Sequence, residues 1–203
     1  MIYIYKRNTN ELFFITNFTV RFDSMDFKNI IIKWYNQNRR DLPWRNTKNP
    51  YFIWISEVIL QQTRVAQGLD YYNRFTSTFP TIKDLANADI DKVMKAWQGL
   101  GYYTRARNLH RAAKQVMANF NGALPTTYHE LLTIKGLGPY SAGAIASFAF
   151  KEAVPAIDGN VYRVLSRIYG VFSSAETAAG KKEFFALTME LIDKEHPDTF
   201  NQA

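Results

Sequence analysis

The stretch "YFIWISEVILQQT", residues 51–63, limits the possible folds more than any other. It is apolar almost all round at helical spacing, and such a helix is stable only when other elements cover it on every side. The chain must therefore wrap further helices around this one, and it carries them. Phe27, Ile30, Ile31, Trp34 and Tyr35 recur at helical spacing upstream. Downstream come "AQGLDYYNRFTSTF", "TIKDLANA", "DIDKVMKAWQ", "YYTRARNLHRAAKQVMANF", "TTYHELLTI", "PYSAGAIASFAF", "GNVYRVLSRIYG" and "KKEFFALTMELIDKE". Pro43, Pro50 and Pro80 break the pattern. Asn121-Gly122 stops the long basic helix, and Thr81 with Asp84 has the spacing of a capping box in its looser, acidic form. Beyond the first 22 residues no segment alternates convincingly as a strand does. The fold class is all-α.

The chain has 203 residues, 47% of them hydrophobic, enough for one large or two small domains with a real core. Its net charge is +7 and its pI about 9.5. A basic surplus of that size suits a polyanion, and nucleic acid is the usual one. There are no cysteines, which removes disulfides, thiol catalysis and cysteine metal sites from this chain. His110, His129 and His196 are not spaced as metal pairs, so no metal site is expected. No apolar run nears the roughly 20 residues of a membrane span, and the opening makes a poor signal peptide. Met25 begins a clean helical pattern, and residues 1–24 read as a loose upstream extension.

Lys135 to Ala146, "KGLGPYSAGAIA", sets a tight turn against a helix start. Gly136 and Gly138 permit positive φ and leave backbone N–H groups uncovered. Pro139 suits the first helical position. Those N–H groups and the positive helix end can hold a phosphate, with Lys135 adding a cation. A lone glycine turn is more often a plain joint. Here the preceding "ELLTI" and the small "SAGA" start match a helix–hairpin–helix element, which grips a DNA backbone without reading bases. Lys135, Gly136, Leu137 and Gly138 are the candidate DNA contacts. A weak echo, "GLGYY" at 99–103, uses the same turn device.

Two carboxylates sit in opposite settings. Glu57 lies inside the all-round apolar helix, where desolvation raises its pKa and keeps it protonated as a general acid requires. Asp158, in "VPAIDGNVYRVL", stands just before a helix. Taken alone it reads as an N-cap, and the helix N-terminus also favours its charge. One carboxyl held neutral beside one held anionic is the arrangement that cleaves glycosidic bonds. In a basic protein this points to an N-glycosidic bond in DNA.

"RRDLPWR", "WISEVILQQTRV", "WQGLGYYTRARNL", "GLGPYSAGAI" and "AIDGNVYRVLSR" are colinear with the motifs of a known family. From about Met25 to its last residue the chain resembles the helix–hairpin–helix DNA glycosylases, the superfamily that includes endonuclease III, and within it the adenine-removing enzymes. The resemblance implies a six-helix barrel over 50–157, with its hairpin at 134–140, and a companion helical domain from 25–49 and 158–203. It implies a monomeric, monofunctional enzyme of base excision repair, cytoplasmic and attached to the bacterial nucleoid through DNA. The substrate would be duplex DNA with adenine opposite 8-oxoguanine or guanine, the adenine flipped into a pocket. Glu57 matches the acid that protonates adenine N7. Asp158 matches the carboxylate that stabilises the cationic sugar, and Asn160 the residue that orients the catalytic groups and water. Arg45, Trp44 and Leu60, with Arg40 and Leu42 of the same motif, match the adenine pocket. Gln62 and Tyr102 match residues that wedge into the duplex. Trp44 and Leu60 equally suit a plain core, and Tyr102 a helix cap. Bifunctional relatives carry a lysine where this chain has Tyr140, and a phenol cannot form their imine.

The family also binds a four-iron–four-sulfur (4Fe-4S) cluster through four cysteines, and these are absent here. On that pattern the chain is expected to be a truncated piece that also lacks the domain recognising 8-oxoguanine. Its companion domain is then incomplete, with apolar surface exposed near Phe27, Ile31 and Phe184 and with weak or unstable activity. Two other readings stay open: an endonuclease III-like or mismatch thymine/uracil glycosylase, and an inactive DNA-binding fragment.

Overall fold

The computed structural model describes residues 24–203, so the extension expected over 1–24 lies, but for Ser24, outside the described residues. Eleven helices follow one another among these residues: α1 (Ser24–Asn38), α2 (Pro50–Leu60), α3 (Val65–Thr78), α4 (Ile82–Asn87), α5 (Ile90–Trp97), α6 (Thr104–Asn119), α7 (Tyr128–Leu131), α8 (Pro139–Phe150), α9 (Gly159–Tyr169), α10 (Ala178–Leu191) and α11 (Pro197–Gln202). A single 3₁₀ turn spans Pro43–Arg45, and no strand occurs among the described residues. The all-α expectation is met.

Helix α2 is the covered centre that its composition demands. Ile53, Trp54, Ile55 and Ile59 are at most 1% exposed, with α3 and α8 packed on it. Asn49 caps its start by accepting a hydrogen bond from the Tyr51 amide at 2.9 Å, and Pro50 takes the first position. The Thr81–Asp84 capping box forms as expected: the Asp84 amide donates to Thr81 Oγ1 at 3.1 Å, and that hydroxyl donates back to the carboxylate at 2.6 Å. Thr127 and Glu130 repeat the device at α7.

Apolar side chains gather in two clusters. The larger runs through α2 to α8 and includes Leu42 and Trp44 from the 3₁₀ region. The smaller joins Phe27 of α1 to Leu165, Phe184, Leu191, Ile192 and Phe200. Of the region where apolar exposure is expected, the side chains of Phe27, Ile31 and Phe184 are themselves covered: Phe27 and Phe184 are 6% and 1% exposed, and Ile31 packs on the same cluster. The reason is that α1 lies across α10 and α11. Phe27 meets Tyr169 and Phe200 edge-on, at ring separations of 5.6 and 6.3 Å. Apolar surface is exposed beside them on α1, at Ile30 and Trp34, one turn apart.

Between α8 and α9 the chain runs irregularly from Lys151 to Asp158. Two features hold this segment down. Asn201 of α11 donates to the Val154 carbonyl at 2.9 Å and accepts from the Ala156 amide at 3.0 Å. Gly143 of α8 lies so close that a Cβ there would sit 2.2 Å from the Pro155 carbonyl oxygen. An ion pair between Lys48 and the buried Asp198 ties α11 to the segment before α2.

Candidate active site

Glu57 occupies the one position of α2 where a carboxyl faces a cavity from inside an apolar helix. The cavity has a volume of about 320 Å³, within the range of small-molecule sites. Glu57, Tyr140, Asp158 and Asn160 all line it, as do Arg40, Leu42, Trp44, Arg45 and Leu60. Nine residues singled out in the sequence, from four separate segments, thus meet at one place. Trp44 and Leu60 serve both readings, since each lines the cavity and also packs in or against the larger core.

Glu57 is 8% exposed. Burial pushes its pKa from an ordinary 4.5 up to about 7; a hydrogen bond with Tyr140 pulls it back, the Asp158 charge adds to the rise and Arg45 opposes it. Tyr140 reaches the site from the first turn of α8, where Pro139 starts the helix. Burial, and then the neighbouring Glu57, push its phenol far above the ordinary range, so it stays a neutral donor.

Asp158 is the N-cap of α9, as its place in the sequence suggests. Its Oδ1 accepts from the amides of Asn160 and Val161 at 2.8 and 2.9 Å, and its Oδ2 from Asn160 Nδ2 at 2.8 Å. Three hydrogen bonds therefore fix how this carboxylate points into the cavity. Asn160 is itself held by Arg163. The cap and the candidate catalytic group are the same side chain, so the two readings of Asp158 do not compete.

Arg45 rests on Tyr35, with its guanidinium carbon 5.3 Å from the ring centre, and Tyr35 donates to Gln202 Oε1 at 3.0 Å. Sequence reasoning missed Tyr35 as part of the site. It reads there as one more core position of α1, and only the fold places it beneath Arg45.

Gln62 and Tyr102 lie outside the cavity. They both line a separate cleft, with Tyr102 64% exposed at a loop tip. At the hairpin, Gly136 has φ +94°, as expected, but Gly138 is extended at φ −85°, ψ 175°. Gly138 serves as the N-cap of α8, a position that does not require positive φ. Leu137 also departs from expectation: its side chain plugs the core at 6% exposure and its amide donates to the Ile134 carbonyl. Lys135, Gly136 and Gly138 form the exposed face of the turn, and the amides of Gly136 and Gly138 have no partner among the described residues.

A helical fold with a short hairpin, a buried acid and an N-cap carboxylate sharing one cavity defines a class: the architecture of DNA base-excision proteins. The chain belongs to the HhH-GPD superfamily of base excision DNA repair proteins, whose family profile matches residues 55–193. It is 40% identical to the adenine DNA glycosylase of Mus musculus over 190 residues, covering 89% of this chain and 37% of that protein. The chain thus spans well under half the length of that relative. Among solved structures it superposes on a thermostable thymine-DNA glycosylase with a TM-score of 0.81 at 27% identity, covering 88% of this chain and 82% of that one. It superposes on a trapped endonuclease III–DNA covalent intermediate with a TM-score of 0.73 at 21% identity, covering 88% and 83%. The second likeness confirms the fold.

The 4Fe-4S cluster that the resemblance implies does not fit the residues present. Such clusters are held by thiolates, the chain has no cysteine, and no group of three or more potential metal ligands gathers among the described residues.

Proposed function

We propose that this chain carries the catalytic centre of a monofunctional adenine DNA glycosylase acting on duplex DNA, with adenine opposite 8-oxoguanine or guanine as substrate. The observation that carries the reading is the pairing of Glu57, with its pKa near 7, and Asp158 in one cavity. The 40% identity to a named adenine DNA glycosylase supports the choice of base.

In this reading the adenine leaves the stack and enters the cavity beside Trp44, Arg45 and Leu60. Protonated Glu57 gives its proton to N7, and the C1′–N9 bond breaks with its electron pair leaving on the base. Asp158 faces the sugar cation so formed; water adds at C1′ and gives a proton to the Glu57 carboxylate, which resets the acid, while Asn160 keeps Asp158 aligned. The neutral Tyr140 phenol holds the Glu57 carboxyl in place. It offers no amine to the sugar, so the product is an uncut abasic site. The exposed amides of Gly136 and Gly138, with Lys135, suit the DNA backbone. Gln62 and Tyr102 suit the gap that the flipped base leaves.

The likeness to a thymine-DNA glycosylase favours one rival, thymine release from a mismatch. Duplexes with a single adenine opposite 8-oxoguanine, adenine opposite guanine, or thymine opposite guanine separate the two. The expected outcome is free adenine, with strands that break only after hot alkali. Release of thymine alone, or a covalent complex trapped by borohydride, contradicts the proposal.

A further inference from the structure

Gln62 and Tyr102 share a trait that their sequence positions do not announce. Gln62 has φ +57° and Tyr102 φ +46°. Side chains with a Cβ enter that region only where their surroundings hold them there. Gln62 follows α2, Tyr102 precedes α6, and 40 residues separate them. One side chain touches both segments. Arg105 Nη1 donates to the carbonyls of Val58 and Ile59, each at 3.0 Å, and to that of Gln61. Its Nη2 donates to the Gly101 carbonyl at 3.4 Å. Its guanidinium carbon lies 5.5 Å from the ring centre of Tyr102 and 5.4 Å from that of Trp97.

The Val58, Ile59 and Gln61 carbonyls are acceptors that the end of a helix leaves open, at its negative pole. A cation with several donors in one plane meets all of them while its face stacks on an aromatic ring. Lysine has neither the fork nor the plane. The same guanidinium thus fixes the backbone before Gln62, the backbone before Tyr102, and the Tyr102 ring.

We propose that Arg105 is a positioning residue that sets Gln62 and Tyr102 as one rigid pair for insertion into the duplex. The inference rests on the proposed action on duplex DNA and adds the residue that pre-organises its wedge. A residue that merely capped α2 would affect stability alone, so the two tips must be read directly.

The test compares the full chain with Arg105→Lys, with Arg105→Gln as a second variant should lysine prevent folding. Amide hydrogen exchange is measured over 61–63 and 99–103, and duplex binding is measured with adenine opposite 8-oxoguanine. Both are repeated in a Tyr102→Ala background. Exchange at both tips is expected to rise about tenfold while α8 stays protected, and duplex affinity to fall about tenfold. With Tyr102 already removed, the Arg105 change should weaken binding by less than about twofold, because contacting residues are coupled. Unchanged exchange at the tips overturns the inference, as do faster exchange with unchanged binding and losses that multiply independently. A parent chain that binds no such duplex overturns the functional reading and this inference with it, an outcome visible before any variant is compared.

Discussion

Glu57 is held neutral at a cost to the fold once the pH passes its ordinary range. Its pKa is 4.5 in an unfolded chain and about 7 in the fold, so between those values the folded state binds more protons than the unfolded one. Stability from this group is intact below 4.5 and is lost as pH rises to about 7. The loss approaches roughly 3 kcal/mol, at 1.36 kcal/mol per unit. Glu57→Gln is therefore expected to raise stability at pH 8 by a sizeable part of that figure and to leave it nearly unchanged at pH 4. Denaturant midpoints at the two pH values check this. Tyr140 tunes the same group. Its hydrogen bond lowers the Glu57 pKa, so Tyr140→Phe should move the alkaline limb of the activity profile upward. The sequence disclosed Glu57 because a lone carboxylate in an apolar helix is conspicuous. It could not disclose the Tyr140 bond, which links residues 83 positions apart.

Single helices and turns show where sequence patterns were sufficient. Repetition at helical spacing, prolines and one capping box located the helices, since those signals act within a few residues. The hairpin glycines looked equivalent for the same local reason, and they are not. Gly136→Ala puts a Cβ at φ +94° and should cost about 1–3 kcal/mol. Gly138→Ala meets nothing within 4 Å at an ordinary φ and, as a weaker N-cap, should cost at most about 1 kcal/mol. Gly143→Ala drives a Cβ against the Pro155 carbonyl, and so against the segment that ends in Asp158. It should slow base release as well as lower the melting temperature. Thermal melts and single-turnover rates on the three variants distinguish these outcomes. The small residues of "SAGA" permit close packing, but the partner of Gly143 comes from a segment that no local pattern identifies.

The whole molecule closes on itself through α1, which packs against α10 and α11 from the far end of the described chain. The cavity draws lining residues from α1, α2, α8, α9 and α11, so its shape depends on that closure. Phe27→Ala, at a site 6% exposed among aromatic neighbours, should cost about 3–5 kcal/mol, read from denaturant midpoints. The apolar surface expected near Phe27 and Ile31 lies at Ile30 and Trp34, while Phe27, Ile31 and Phe184 are covered because the helices pack on one another. The same long-range packing brings Tyr35 under Arg45, a contact that a one-dimensional reading does not contain.

Whether Glu57 is the proton donor is decided by a single-turnover pH–rate profile. The substrate is a duplex with adenine opposite 8-oxoguanine, and Glu57→Gln is run beside the parent chain. Adenine release should be full below neutrality and fall through a limb near pH 7 as Glu57 ionises. Glu57→Gln should lose about 10²–10⁴-fold below pH 7, and the gap should narrow above it as the parent's own rate falls. A parent profile flat through pH 7 and above, or a Glu57→Gln chain of near-parental rate, contradicts the account.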